Sequence, residues 1–144
     1  MRRGLDAVIE RMPLGSVFSH LTAARLHGLD VVPPQQIDVT VPAAARLSAR
    51  AGVRVHRAHL DHTEVTRRDR LPVTSGIRTC LDLARELPLA DAVAVVDMAL
   101  HEKLVHFDDL RARLDPLVGR RGVRQARRVV ELAEPSHRWS RGFE

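Results

Sequence analysis

Hydrophobic and polar positions along this chain change period twice. Leu5, Val8, Ile9 and Met12 recur at helical spacing, which predicts a short helix over 5–12 closed by Pro13 and Gly15. Ser19 is a suitable cap for a second helix over His20–His27, with Gly28 as its stop signal and Leu21, Ala24 and Leu26 facing inward. After Pro33-Pro34 the period drops to two. Gln36-Ile-Asp-Val-Thr-Val41 alternates polar and apolar, so Ile37, Val39 and Val41 share one face of a half-buried strand. Pro42 to Ala51 reads as a turn or exposed loop. Val53-Arg-Val-His-Arg57 alternates again, and Glu64-Val-Thr-Arg67 does so more weakly. Leu71-Pro-Val-Thr74 predicts a fourth short strand, which Pro72 would place at a sheet edge.

From Thr74 onward the period returns to that of a helix. Thr74 or Ser75 caps a helix with Ile77, Cys80, Leu81, Ala84 and Leu87 along its apolar stripe, closed by Pro88. Residues 89–103 carry Leu89, Val93, Val96, Ala99 and Leu100. Phe107 and Asp108 lead into a helix with Leu110, Leu114 and Leu117 that ends near Gly119. The last helix, about 121–133, buries Val123, Ala126, Val130 and Ala133. This order predicts an α+β fold: a small, mostly antiparallel sheet of three to four strands, an N-terminal helix pair and a C-terminal helical bundle. The expected organisation is one core over 1–134 and a short tail over 135–144.

Composition narrows the class. A chain of 144 residues with 44% hydrophobic content can bury a real core. No apolar run approaches the ~20 residues of a membrane span, and Asp6, Glu10 and Arg11 interrupt the apolar region that a secretion signal needs. A cytoplasmic location is therefore expected, with no membrane partner. Cys80 is the single cysteine, so no internal disulfide forms, and its place on an apolar stripe reads as core packing.

Charge adds a location. Residues 1–110 hold 14 Lys/Arg and 14 Asp/Glu, whereas residues 111–144 hold nine Arg and four acids, so the whole excess of +5 lies in the last quarter. Arg120, Arg121, Arg124, Arg127 and Arg128 supply a basic face that would contact the phosphates of double-stranded DNA, giving affinity with little sequence information. The bland reading is a solvated surface: Lys103 is the only lysine, so arginine is the default surface base here. The two helices around Gly119 have the outline of a helix-turn-helix, a shape shared by many helical hairpins.

Catalytic chemistry has little support. His56, His59 and His62 recur every third residue, but a segment leaving a strand for a loop does not converge three rings on a metal. Ser19, His20 and His27 lack the remainder of a nucleophilic triad. Arg78 and Asp82 are four apart on one helix turn, and a half-apolar setting for Asp97 calls for a basic partner, for which Arg78 is a candidate; the three read as a structural pair locking helices. With no glycine-rich phosphate loop, no cofactor is expected, and with 3% aromatics no base-stacking platform is expected.

Several of these segments together resemble the core of the AbiEi-type antitoxin family of type IV toxin–antitoxin pairs. They are Phe18-Ser-His-Leu-Thr-Ala-Ala-Arg-Leu-His-Gly-Leu29, Val39-Thr-Val-Pro42, Val53–Arg57, Leu71-Pro-Val-Thr-Ser75, Arg78-Thr79, Asp82-Leu-Ala84 and Asp97. The resemblance spans about 14–134. It extends to actinobacterial proteins that continue into a very-short-patch-repair-like endonuclease domain. It implies a non-enzymatic antitoxin-like module or transcriptional regulator, whose partners are promoter DNA and, indirectly, a nucleotidyltransferase-like toxin. About 17 residues precede Phe18, fewer than the winged helix of such regulators needs, and nuclease carboxylates would lie past Glu144, so DNA cleavage is not expected. The other readings are an inactive N-terminal half of an endonuclease-like protein, or a protein-interaction module pairing through the Leu71–Thr74 edge.

Overall fold

The period-2 stretches form one mixed sheet of five strands in the order β3-β2-β1-β5-β4. The computed structural model describes residues 2–47 and 50–142. Its elements are α1 (Arg2–Glu10), β1 (Val17–Phe18), α2 (His20–Leu26), β2 (Ile37–Val41), β3 (Val53–Arg57), β4 (Val65–Arg68), β5 (Leu71–Thr74), α3 (Gly76–Glu86), α4 (Leu89–His101), α5 (Phe107–Leu114) and α6 (Val123–Gly142). A 3-10 turn at His62–Glu64 precedes β4, closed by a capping box in which Asp61 and Glu64 each accept from the other's end of the turn. The chain divides into two compact units, Met1–Ser75 and Gly76–Glu144.

The sheet corrects the expectation of three to four mostly antiparallel strands. β1–β2 and β4–β5 are antiparallel, but β2–β3 and β1–β5 are parallel. Alternation reports which face a residue occupies and says nothing of strand direction. The 42–52 connection, at eleven residues, is just long enough for the crossover that parallel pairing requires. It is not a bare loop: Ala45 and Leu47 pack on the apolar core. β1 carries no sequence signature because two residues show no period. β5 is also not an edge, since it lies between β1 and β4. Pro72 is tolerated there because β1 reaches β5 only at Phe18↔Val73, so the missing N–H breaks no ladder bond on that side.

In the first unit, Ile37, Val39, Val41, Phe18, Leu71 and Val73 share a sheet face with Val53 and Val55, and Leu5, Val8, Ile9 and Met12 close over it. In the second unit, α3, α4, α5 and α6 pack around Cys80, Leu83, Ala92, Val96, Leu110, Ala126 and Val129. Gly122 sits where α6 starts against α3: a Cβ there would stand 2.8 Å from Arg85 Cβ and 2.9 Å from Arg85 O. α6 continues to Gly142, past the end expected at Ala133. The apolar stripe stops there, but backbone helix propagates without one.

Candidate functional site

Two groups of polar side chains stand apart from ordinary surface, one in each unit. The first grows from the chain's turn out of β1 into α2. Ser19 N donates to Asp38 O at 3.1 Å, the last ladder bond. β1 ends there, so Asp38 N turns to the Thr22 hydroxyl at 2.9 Å. His20 makes the bend with φ +53, a left-handed value costly for a residue with a Cβ.

That bend assembles a hydrogen-bonded chain on the sheet's polar face. Thr40 Oγ1 donates to Ser19 Oγ at 2.7 Å, and Ser19 Oγ is hydrogen-bonded to His20 Nδ1 at 2.9 Å. The His20 ring stacks on His56 with centroids 3.7 Å apart and planes 14° from parallel. His56 Nε2 in turn donates to Asp38 Oδ1 at 3.0 Å. Ser19, Thr22, Asp38 and Thr40 are all buried. Alternation in 36–41 points Asp38 and Thr40 to a solvent face, but both are buried, Asp38 against His56 and Thr40 against Ser19. A buried carboxylate and hydroxyls are tolerable because each is bonded. Ser19 is fully enclosed and already bonded on both sides, so it is not placed as a nucleophile.

His27 lies near this group at the end of α2. Arg68 Nε donates to its Nδ1 at 3.2 Å, so the ring proton sits on Nε2, which donates to Thr74 O at 2.8 Å. Burial pushes its pKa below the ordinary 6.5; the Thr74 bond opposes the shift and the nearby Arg68 charge adds to it. The sign follows. Below about pH 6.5 the unfolded chain takes up a proton that the folded ring resists, so stability falls as pH drops from there and is flat above. His27→Gln keeps a donor for Thr74 O and does not titrate. Urea midpoints at pH 5.5 and 7.5 should therefore differ less in this variant than in the wild type; an equal difference in both would refute the linkage.

The second group belongs to the helical unit. Asp82, 2% exposed, accepts from Arg78 Nε at 2.9 Å and from Arg85 Nη2 at 2.7 Å. Two bases on one buried acid make a structural cluster within α3. Asp97, half-buried on α4, stands outside it: Arg78 meets Asp82 one turn away, which spacing on one helix delivers without any tertiary contact. Burial pushes the Cys80 thiol up to about 12, so it remains a neutral core group.

Of the five basic residues singled out near the C-terminus, Arg120 and Arg121 lie in the turn before α6, and Arg124, Arg127 and Arg128 lie on it. Arg127 turns inward. Its Nη2 donates to Leu114 O at 3.1 Å, Asp115 O at 3.3 Å and Leu117 O at 2.9 Å, satisfying the carbonyls that the end of α5 leaves open. Arg120, Arg121, Arg124 and Arg128 are exposed. Among the described residues none of these four has a hydrogen bond or ion pair. Arg124 and Arg128 are four apart on α6 and share one stripe, and Arg120 and Arg121 stand in the turn that leads into it. The first turn of α6 holds no acidic residue, so arginines crowd the positive end of the helix dipole, where acids would be stabilising. A groove of about 460 Å³ opens beside them, bordered by Val118, Gly119, Arg120, Val123 and Arg124 among others.

The family model described as the AbiEi antitoxin C-terminal domain matches residues 17–134. None of the curated proteins compared with the chain matches it. Among solved structures, the crystal structure of the RV2827C protein from Mycobacterium tuberculosis is similar, with a TM-score of 0.63 and 19% identity over 89% of this chain and 51% of that one. That likeness is one of fold, and the chain spans about half the length of that protein.

Proposed function

Because the chain belongs to the AbiEi antitoxin C-terminal domain family, we propose that it is a non-enzymatic antitoxin-like regulatory module that contacts duplex DNA through the start of α6. The family supports an antitoxin-like or regulatory role. The observation that carries DNA contact is the set of exposed arginines 120, 121, 124 and 128, which have no acidic partner among the described residues. Crowding cations at a helix N-terminus opposes local stability, and such violations of local preference concentrate at functional positions. Guanidinium groups gathered at a helix N-terminus suit a phosphate. Arg127 holds the α5–α6 connection, so its part in DNA contact is indirect.

Labelled duplex DNA, followed by fluorescence anisotropy across salt, tests this. Four phosphate contacts by these arginines contribute about −3.6 to the slope of log K against log salt, so affinity should fall at least about a hundredfold between 50 and 200 mM salt. In Arg121/Arg124/Arg128→Ala the slope should shrink by about 2.7, at ~0.9 per lost phosphate contact. An unchanged slope in that variant would sink the α6 assignment.

A further inference from the structure

A second basic element lies in the sheet unit, at a point where the residue choice opposes the backbone. β4 and β5 form a two-residue hairpin closed by Asp69-Arg70 after the Arg68↔Leu71 pair. Both turn residues are left-handed, with φ +50 and +68. A turn of this type favours glycine at its second position, where a Cβ is strained. Arg70 occupies it. Its carbonyl accepts from Arg67 Nη1 at 3.0 Å, yet among the described residues its guanidinium has no partner. The strain thus places a cation at the tip without using it to hold the fold.

The neighbouring positions repeat the theme. Arg67 and Arg68 are consecutive on a strand, so they project from opposite faces of the ribbon. Arg67 leans back on the turn, Arg68 is steadied by His27 Nδ1, and all of Thr66–Arg70 is exposed. β1 joins β5 only at Val73, so from Arg67 to Pro72 the ribbon is two strands wide. Strands ~4.8 Å apart with arginines on both faces and at the tip match the major groove of duplex DNA, which is ~12 Å wide, admits a two-stranded ribbon and is walled by phosphates on both sides.

We propose that the β4–β5 hairpin tip enters the major groove of duplex DNA and sets Arg67, Arg68 and Arg70 against backbone phosphates. The partner class rests on the DNA-contact reading above, but the residues and the unit are different.

The same duplex, titrated with salt against the full chain, tests both. Arg67→Ala/Arg70→Gly should reduce the salt slope by about two, at ~0.9 per lost phosphate contact. Arg70→Lys should keep the wild-type slope. Arg70→Gly alone should raise the thermal midpoint, since glycine adopts the left-handed turn without strain, while weakening DNA binding. An arginine with only a structural role would, on replacement, lower the thermal midpoint and leave the salt slope unchanged. If the hairpin variants bind like wild type while the α6 triple variant loses affinity, the hairpin proposal is overturned and the α6 reading stands. If the hairpin variants lose affinity and the α6 variant does not, the proposal stands and the α6 reading fails. Wild-type protein that does not bind at low salt overturns both.

Discussion

Phe18→Ala is expected to destabilise the sheet unit by about 3–5 kcal/mol, the range for emptying a fully buried aromatic site. Phe18 is 0% exposed. It pairs with Val39 on one side and Val73 on the other, so its side chain sits in the middle of the apolar face that Leu5, Met12, Val41 and Leu71 complete. Collapse of the cavity would need two neighbouring strands to move together, which the ladder resists. Domains are stable by only ~5–15 kcal/mol, so the variant should lose much of its unfolding free energy in a urea titration. Phe18→Leu, which refills most of the volume, should recover a large part of it. A Phe18→Ala midpoint within error of wild type would mean that β1 does not sit at the centre of the sheet.

Gly122→Ala is expected to cost about 2–4 kcal/mol in the helical unit, from left-handed strain and overpacking together. The position has φ +78, and the added carbon would stand under 3 Å from the backbone oxygen of Arg85 as well as from its Cβ. A flexible side-chain end could swing aside; the α3 backbone cannot. Relief therefore requires α6 to move away from α3. That would stretch the bonds from Gln125 Nε2 to Ala84 O at 2.9 Å and to Leu87 O at 2.7 Å, which close the end of α3. Hydrogen exchange should then rise in α6 and the last turn of α3. Gly119→Ala is the control: it shares a left-handed backbone, φ +72, but meets nothing within 4 Å, so it should cost only the conformational part, about 1–2 kcal/mol. Equal effects at the two sites would contradict the close approach of α6 and α3.

Local pattern was enough for some features and silent on others. Ile37, Val39 and Val41 were legible as one apolar face because alternation is a property of the strand itself. The helices with Cys80, Leu110 and Val123 on their stripes were legible for the same reason, as was the Arg78–Asp82 pair, set by helical spacing alone. Exposure of Arg124 and Arg128 followed from their place opposite the stripe of α6. Strand direction and order carry no local signature, so the parallel β2–β3 and β1–β5 pairs, and the interior place of β5, depended on the folded chain. So did the burial of Asp38 and Thr40: a polar position in a strand faces water only if nothing covers that face, and here both are enclosed with Ser19, His20 and His56. Arg127 shows the same limit, since only the approach of the α5 carbonyls distinguishes it from its exposed neighbours. Periodicity determines which side of an element is apolar; what meets the other side is decided by contacts between residues far apart in the chain.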